Sequence, residues 1–253
     1  MANLISKLHS QIIQSIQKAV EDKKIGIAFS GGVDSTLLAK ICVDLDYDVT
    51  LLTIGFEVSH DVMFSQEISK ILGYDHKIKK IKLTNFSKVS KEIKKIIKTD
   101  NLSWIENCIA FYYVSKLAKH YDIKKVITAN GIDELFCGYN VYRNAIKLGE
   151  SSVMELMESK LENEIKMMKA VNLISSQFGV VLIQPFLSQD FIDFAKKIPL
   201  KHKIHDSDDL LRKHIIRELA LKIGVPEISS NKHKKALQYG SLIHKTLMKI
   251  KQI

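Results

Sequence analysis

The apolar run Ile25-Gly26-Ile27-Ala28-Phe29 opens directly onto Ser30-Gly31-Gly32-Val33-Asp34-Ser35. A short buried strand that ends in two glycines and passes into a helix at about Asp34 leaves few folds open. The turn is sharp, and the backbone amides it exposes point at one place. The positive N-terminal end of the helix adds to the same spot, making a cradle for phosphate. Ser30, Ser35 and Thr36 supply hydroxyl donors, and Asp34 supplies a carboxylate at which a magnesium ion could bridge phosphates. No lysine stands where a Walker loop requires one, and the Gly-x-Gly-x-x-Gly spacing of a dinucleotide fingerprint is absent.

The Ser30–Ser35 pattern resembles the PP-loop of the ATP pyrophosphatases. Those enzymes split ATP between the α and β phosphates and leave AMP on the substrate. The loop alone selects no substrate.

The rest of the chain is read for organisation. With 253 residues and 46% apolar content, one or two globular domains with a sizeable core are expected. Only three prolines and 11 glycines argue against disorder and an all-β fold. No apolar run is long enough to span a bilayer, and the N-terminus does not read as a signal peptide. Cys42, Cys108 and Cys137 are far apart and odd in number, which fits reduced thiols and a cytoplasmic setting better than disulfides or zinc. The net charge of +10 attracts polyanions, but lysine far outnumbers arginine, so nucleic acid is an open partner rather than the favoured one.

Residues 3–20 repeat apolar side chains at helical spacing, and the Ile25–Phe29 strand follows. A second strand spans Val49–Ile54, a helix spans about 61–72 with Gly73 as its stop, and a weaker, lysine-rich third strand at 76–83 suits a sheet edge. Next comes a helix with Phe86, Val89 and Ile93 on one face. Lys88, Lys91, Lys94, Lys95 and Lys98 lie on the other, as a solvated face or an RNA-binding stripe. A long helix spans 104–120 and a short buried strand spans 125–129. This alternation predicts an α/β fold with a parallel, doubly wound sheet. From about residue 141 the pattern becomes helical, with helices at 153–174, 190–197 and 208–223. The expected division is an N-terminal helix at 1–22, a core at 23–145, and an all-helical C-terminal part at 146–253 packed on the core or continuous with it.

Directly after the strand at 125–129 stands Asn130-Gly131-Ile132-Asp133-Glu134-Leu135-Phe136-Cys137-Gly138-Tyr139. Ligands of parallel sheets bind beyond the carboxyl ends of strands, near the switch point. Asp133 reads either as a helix N-cap or, opposite Asp34, as the second carboxylate of a magnesium site. The histidines, including His202 and His205, show no metal-ligand spacing and read as surface or packing residues.

Asp-Glu-Leu-Phe-x-Gly-Tyr after a strand resembles the signature of the asparagine synthetase synthetase domain, which β-lactam synthetase shares. Thr53-Ile54-Gly55-Phe56, Gln184-Pro185-Phe186-Leu187, Leu211-Arg212 and the tail from Lys232 to Gly240 are similar to further motifs of that family. The resemblance implies an adenine nucleotide α-hydrolase-like core and an AMP-forming ligase of amino-acid biosynthesis that uses ATP and Mg2+. A small carboxylate such as aspartate attacks the α-phosphate, pyrophosphate leaves, and ammonia or another amine resolves the acyl-adenylate. By resemblance, Ser30, Gly31, Gly32 and Ser35 hold the pyrophosphate, and Asp34 and Asp133 bind the metal. Ile54 and Gly55 present backbone groups to adenine, and Gly131 joins the nucleotide-binding set. Lys234, six residues before Gly240, matches the lysine that stabilises the reacting centre; read without the family, it is an exposed residue of a basic tail.

Three departures stand out. The family glutamate that deprotonates the incoming amine is here Asn130, which can orient a nucleophile but cannot act as a general base. A lysine expected four residues before Arg212 is Asp208, leaving Lys213 or Lys235 to compensate. Ala2 stands where glutamine-dependent members carry a catalytic cysteine, so free ammonia, a separate glutaminase subunit or another amine is the expected nitrogen source. A homo-oligomer is compatible with the sequence. The alternatives are a tRNA-modifying PP-loop enzyme and a non-catalytic nucleotide-binding homologue.

Overall fold

The computed structural model describes residues 2–233 and 237–251. In chain order these form α1 (Ala2–Ala19), β1 (Lys24–Ala28), α2 (Val33–Asp44), β2 (Asp48–Gly55), α3 (His60–Leu72), β3 (Asp75–Lys80), α4 (Leu83–Ile97), α5 (Leu102–His120) and β4 (Lys125–Ile127). There follow α6 (Ile132–Leu135), α7 (Val141–Lys147), α8 (Glu150–Ser176), β5 (Val181–Ile183), α9 (Gln189–Lys196), α10 (His214–Lys222), α11 (Glu227–Ser230), α12 (Leu237–Gly240) and α13 (Ile243–Lys251). The strands make one sheet in the order β3-β2-β1-β4-β5, and every pairing is parallel.

Strand residues alternate between the two faces of the sheet. Ile25, Ile27, Leu51 and Ile127 enter a core shared with α1, α2, α9 and α10. Leu52, Ile54, Val126 and Leu182 enter a second core built with α4, α5, α8 and α13. Helices therefore cover both faces, as parallel strands rich in β-branched residues require. Gly26 allows β1 to lie close to its neighbours: a Cβ there would meet Leu52 Cδ1 at 2.7 Å.

Two elements differ from the sequence expectation. The C-terminal part is helical apart from β5, whose three residues pair with β4 and complete the sheet. The helix expected at 208–223 begins only at His214, because Arg212 and Lys213 both adopt left-handed backbone, with φ of +50° and +54°. Lysine-rich β3 does lie at a sheet edge.

Candidate functional site

Strand order reverses between β1 and β4, since the chain moves outward from β1 through β2 and β3 and then returns to the other side of β1. The crevice beyond the carboxyl ends of β1 and β4 is the natural ligand position in such a sheet. The Ser30–Ser35 loop leaves β1 there, and the Asn130–Tyr139 loop follows β4.

The first loop is organised by its own hydroxyls. Gly31 takes φ +75°, and a Cβ there would press on Phe64 Cδ1 at 2.9 Å. Gly32 caps α2. Ser35 Oγ donates to the Gly32 carbonyl at 3.2 Å and accepts the Ser30 N–H at 3.3 Å, while Ser30 Oγ accepts the Gly32 N–H at 3.4 Å. Thr36 departs from expectation as a phosphate donor. It is fully buried, and its Oγ1 lies 3.0 Å from Ser229 Oγ, which also donates to the Gly31 carbonyl at 2.6 Å. The α11 serine thus fastens the outside of the loop.

The second loop turns at Gly131, with φ +104°. A Cβ there would stand 2.9 Å from the Phe186 carbonyl oxygen, so the Pro185-Phe186-Leu187 segment excludes any side chain. Glu134 reaches back to accept the Gly131 N–H at 3.1 Å, as the third residue of a capping box does. It also accepts the Tyr139 hydroxyl. Burial, with Glu164 and Asp133 nearby, pushes the Glu134 carboxyl up to about 8.

The two loops meet at Lys213. Its Nζ lies 2.6 and 2.9 Å from the two Asp34 oxygens and 3.0 Å from Asp133 Oδ1. The lysine side chain is 1% exposed, against 14% and 12% for the two carboxylates, so one cation is held between two anions largely out of water and the cluster keeps a net negative charge. The left-handed backbone at 212 and 213 aims this side chain inward. Arg212 anchors the turn, its Nε and one terminal nitrogen donating to the Gly138 carbonyl at 3.4 and 3.3 Å.

A cavity of about 360 Å3 opens beside this cluster. One helix face of α5, Ser103, Asn107, Phe111 and Val114, and one of α8, Lys160, Asn163, Glu164 and Met167, line it. Leu52 and Ile54 of β2, Ser30, Asp34, Ser35, Asn130 and Asp133, and Leu237, Gln238 and Tyr239 of α12 also line it. Asn130 Nδ2 donates to Glu164 Oε1 at 2.6 Å, and Glu164 is buried. A smaller cavity of about 40 Å3 lies on the other side of the loop, between Ser30, Gly32, Asp34, His60, Lys213 and Arg217.

Of the residues picked from sequence, Ser30, Asp34, Ser35, Ile54, Asn130 and Asp133 line the larger cavity, and Gly32 lines the smaller one. Gly31, Thr36, Gly55 and Gly131 shape the loops and strand end behind them; the Gly55 carbonyl is engaged by the Ile81 N–H at 2.9 Å. The Lys234 expectation falls outside the described residues. Sequence reasoning missed Glu164, which sits mid-helix with no motif around it, and Ser229, whose partner is 193 residues away. It named Lys213 only as one of two stand-ins for the lysine replaced by Asp208, not as the cation between two aspartates.

Residues 7–173 match the asparagine synthase family. The chain belongs to that family. It is 28% identical to a putative glutamine-hydrolysing asparagine synthetase of Methanocaldococcus jannaschii, over 90% of this chain and 47% of that protein. It is 25% identical to asparagine synthetase B of Escherichia coli K12, over 83% of this chain and 41% of that protein. The chain thus spans about half the length of the curated relatives it matches. Among solved structures, the NMN synthetase of Francisella tularensis superposes with a TM-score of 0.50 at 16% identity, covering 94% of this chain and 76% of that one. That likeness concerns the fold, and it agrees with the parallel PP-loop architecture. Membership of the asparagine synthase family makes this an ATP-using, ligase-type domain. Among the described residues, no helix is long and apolar enough to cross a membrane.

Proposed function

We propose that this asparagine synthase-family domain is an AMP-forming amide synthetase: it adenylates a small carboxylate with Mg-ATP, releases pyrophosphate, and passes the acyl group to ammonia or another amine. The observation that carries the reading is the convergence of Asp34 and Asp133, from the turns after β1 and β4, within 3.0 Å of one positive centre beside a cavity. Two carboxylates already gathered on a single cation fit a hard, oxygen-seeking ion such as Mg2+. When bound, that ion would neutralise phosphate charge.

The chain's own groups divide the work. Leu52, Ile54, Phe111 and Val114 offer an apolar wall suited to adenine. The loop amides and the N-terminus of α2 receive phosphate. Lys213, almost fully buried, supplies a fixed positive charge where negative charge accumulates during attack on the α-phosphate. Lys160 is, among the described residues, the one lysine or arginine in the larger cavity's lining, and it favours an acidic substrate there. Glu164 replaces the base lost at Asn130. It is a carboxylate at the cavity wall, 2.6 Å from the Asn130 amide, which orients it toward the acyl centre. The nitrogen source is ammonia, delivered free or by a glutaminase, or another amine.

The test is pyrophosphate release from Mg-ATP with a panel of small carboxylates, with RNA, and with neither. Release that depends on a carboxylate supports the proposal. Release that depends on RNA supports a base-adenylating enzyme, and nucleotide binding without turnover supports a non-catalytic homologue. Glu164→Gln should retain ATP–pyrophosphate exchange while amide formation falls by about 100-fold, the range of a lost general base. Loss of both activities together would remove Glu164 from the second step.

A further inference from the structure

The segment leading into α10 brings together His205, Asp209 and His214. One ligand atom from each lies within 4.8 Å of the others. The two imidazoles are parallel, 6° apart in plane, with centroids 3.7 Å apart. His214 Nε2 stands 2.6 Å from Asp209 Oδ2. The other carboxylate oxygen, Oδ1, accepts the N–H groups of Leu211 and Arg212 at 3.1 and 2.8 Å, so the carboxylate is held with Oδ2 toward the rings. Oδ2 also accepts the His205 N–H at 3.0 Å.

This network orients Asp209 well but leaves the stacked histidines without a purpose. The rings present their nitrogens beside the Asp209 carboxylate. We propose that His205, Asp209 and His214 form a site for a borderline divalent metal of the zinc class, distinct from the magnesium site. Two imidazoles and one carboxylate suit such an ion, with solvent completing the coordination, whereas Mg2+ prefers oxygen throughout. Inserting the metal requires His214 Nε2 and Asp209 Oδ2 to part from 2.6 Å to roughly 3.3 Å, the separation of two tetrahedral ligands about 2 Å from one ion. It also requires the exposed His205 ring to tilt out of the stack. The backbone N–H donors on Oδ1 are the outer partners a ligating carboxylate needs. The Arg212 guanidinium is directed away from Oδ2, toward the Gly138 and Asp209 carbonyls.

The location gives the site a consequence. Asp209 and His214 bracket Arg212 and Lys213, whose left-handed backbone carries Lys213 between Asp34 and Asp133. A metal across the bracket pins the turn that aims this lysine. The three ligands are positioning residues and do not touch substrate.

The experiment titrates the divalent-free protein, without nucleotide, with Zn2+ by calorimetry and with Co2+ by visible absorption. One equivalent should bind, with the absorption of a four- or five-coordinate nitrogen-oxygen site. Asp34→Asn should retain this site, and His205→Ala and His214→Gln should lose it. His205 is exposed, so its variant reports on binding even if His214→Gln does not fold. Absence of a stoichiometric site, its survival in folded His205→Ala, or its loss in Asp34→Asn would each overturn the proposal.

Discussion

At the scale of single residues, charge placement dominates. Lys213 is stable as a buried cation only because Asp34 and Asp133 face it. Removing one partner of such a cluster leaves uncompensated charge, at a typical cost of about 3–5 kcal/mol. Lys213→Met should therefore lower the stability of the nucleotide-free protein by that order, read as a drop in the denaturation midpoint. Added Mg2+ should recover more stability in the variant than in the wild type, because the two aspartates are then free to hold it. Asp34→Asn should keep the fold and abolish pyrophosphate release; unchanged turnover would remove Asp34 from the metal role. Glu134 tests the same electrostatics by pH. Its carboxyl is raised from 4.5 to about 8 in the folded state, so the folded protein keeps a proton that the unfolded chain has released. Its contribution is complete below about 4.5 and is lost as pH rises toward 8. Glu134→Gln, neutral at every pH, should flatten that decline in denaturation experiments between pH 5 and 8.

At the scale of elements, β3 shows how an edge strand is tied to the site. His76 Nε2 lies 2.8 Å from Thr53 Oγ1, and Nδ1 lies 2.9 Å from Ser69 Oγ of α3. Thr53 in turn donates to the Phe29 carbonyl at 2.6 Å, just before the phosphate loop, so the hydrogen of the imidazole belongs on Nε2. Burial lowers the His76 pKa from 6.5 to about 4. Here the unfolded chain takes up the proton first, so stability falls as pH drops from 6.5 toward 4. The loss should be on the order of 2 kcal/mol, allowing for partial solvent exposure, and His76→Gln should abolish most of it. Element type and edge position were legible from residue spacing: apolar periodicity marks α1 and α4, and lysine marks β3. Two elements were not. β5 is three residues long, too short to show alternation, and its strand identity comes from pairing with β4. The late start of α10 depends on Arg212 and Lys213 being turned inward, a demand set by Asp34 and Asp133, far away in sequence.

At the scale of the whole molecule, folding and ligand binding share one geometry. The sheet order brings the turns after β1 and β4 side by side, and α5, α8 and α12 close a cavity over them. A ligand that binds only this assembled form must stabilise it. Mg-ATP at 100 times its dissociation constant should add about 2.7 kcal/mol. For a chain of this size that is roughly 5–10 °C in the unfolding midpoint by thermal scan. ATP with a chelator should add less, and Asp34→Asn should reduce the magnesium-dependent share.

The amino-acid order alone determined the phosphate loop, the carboxylates after two strands and the parallel alternating fold, because each is written in short-range spacing that backbone geometry reads directly. The partners of those groups were decided in three dimensions. Lys213 between the aspartates, Glu164 behind Asn130, Ser229 beneath the loop and the His205–Asp209–His214 cluster unite side chains that no local pattern connects. Burial makes those meetings matter, since a charge or hydroxyl removed from water must find its complement wherever the fold can bring one.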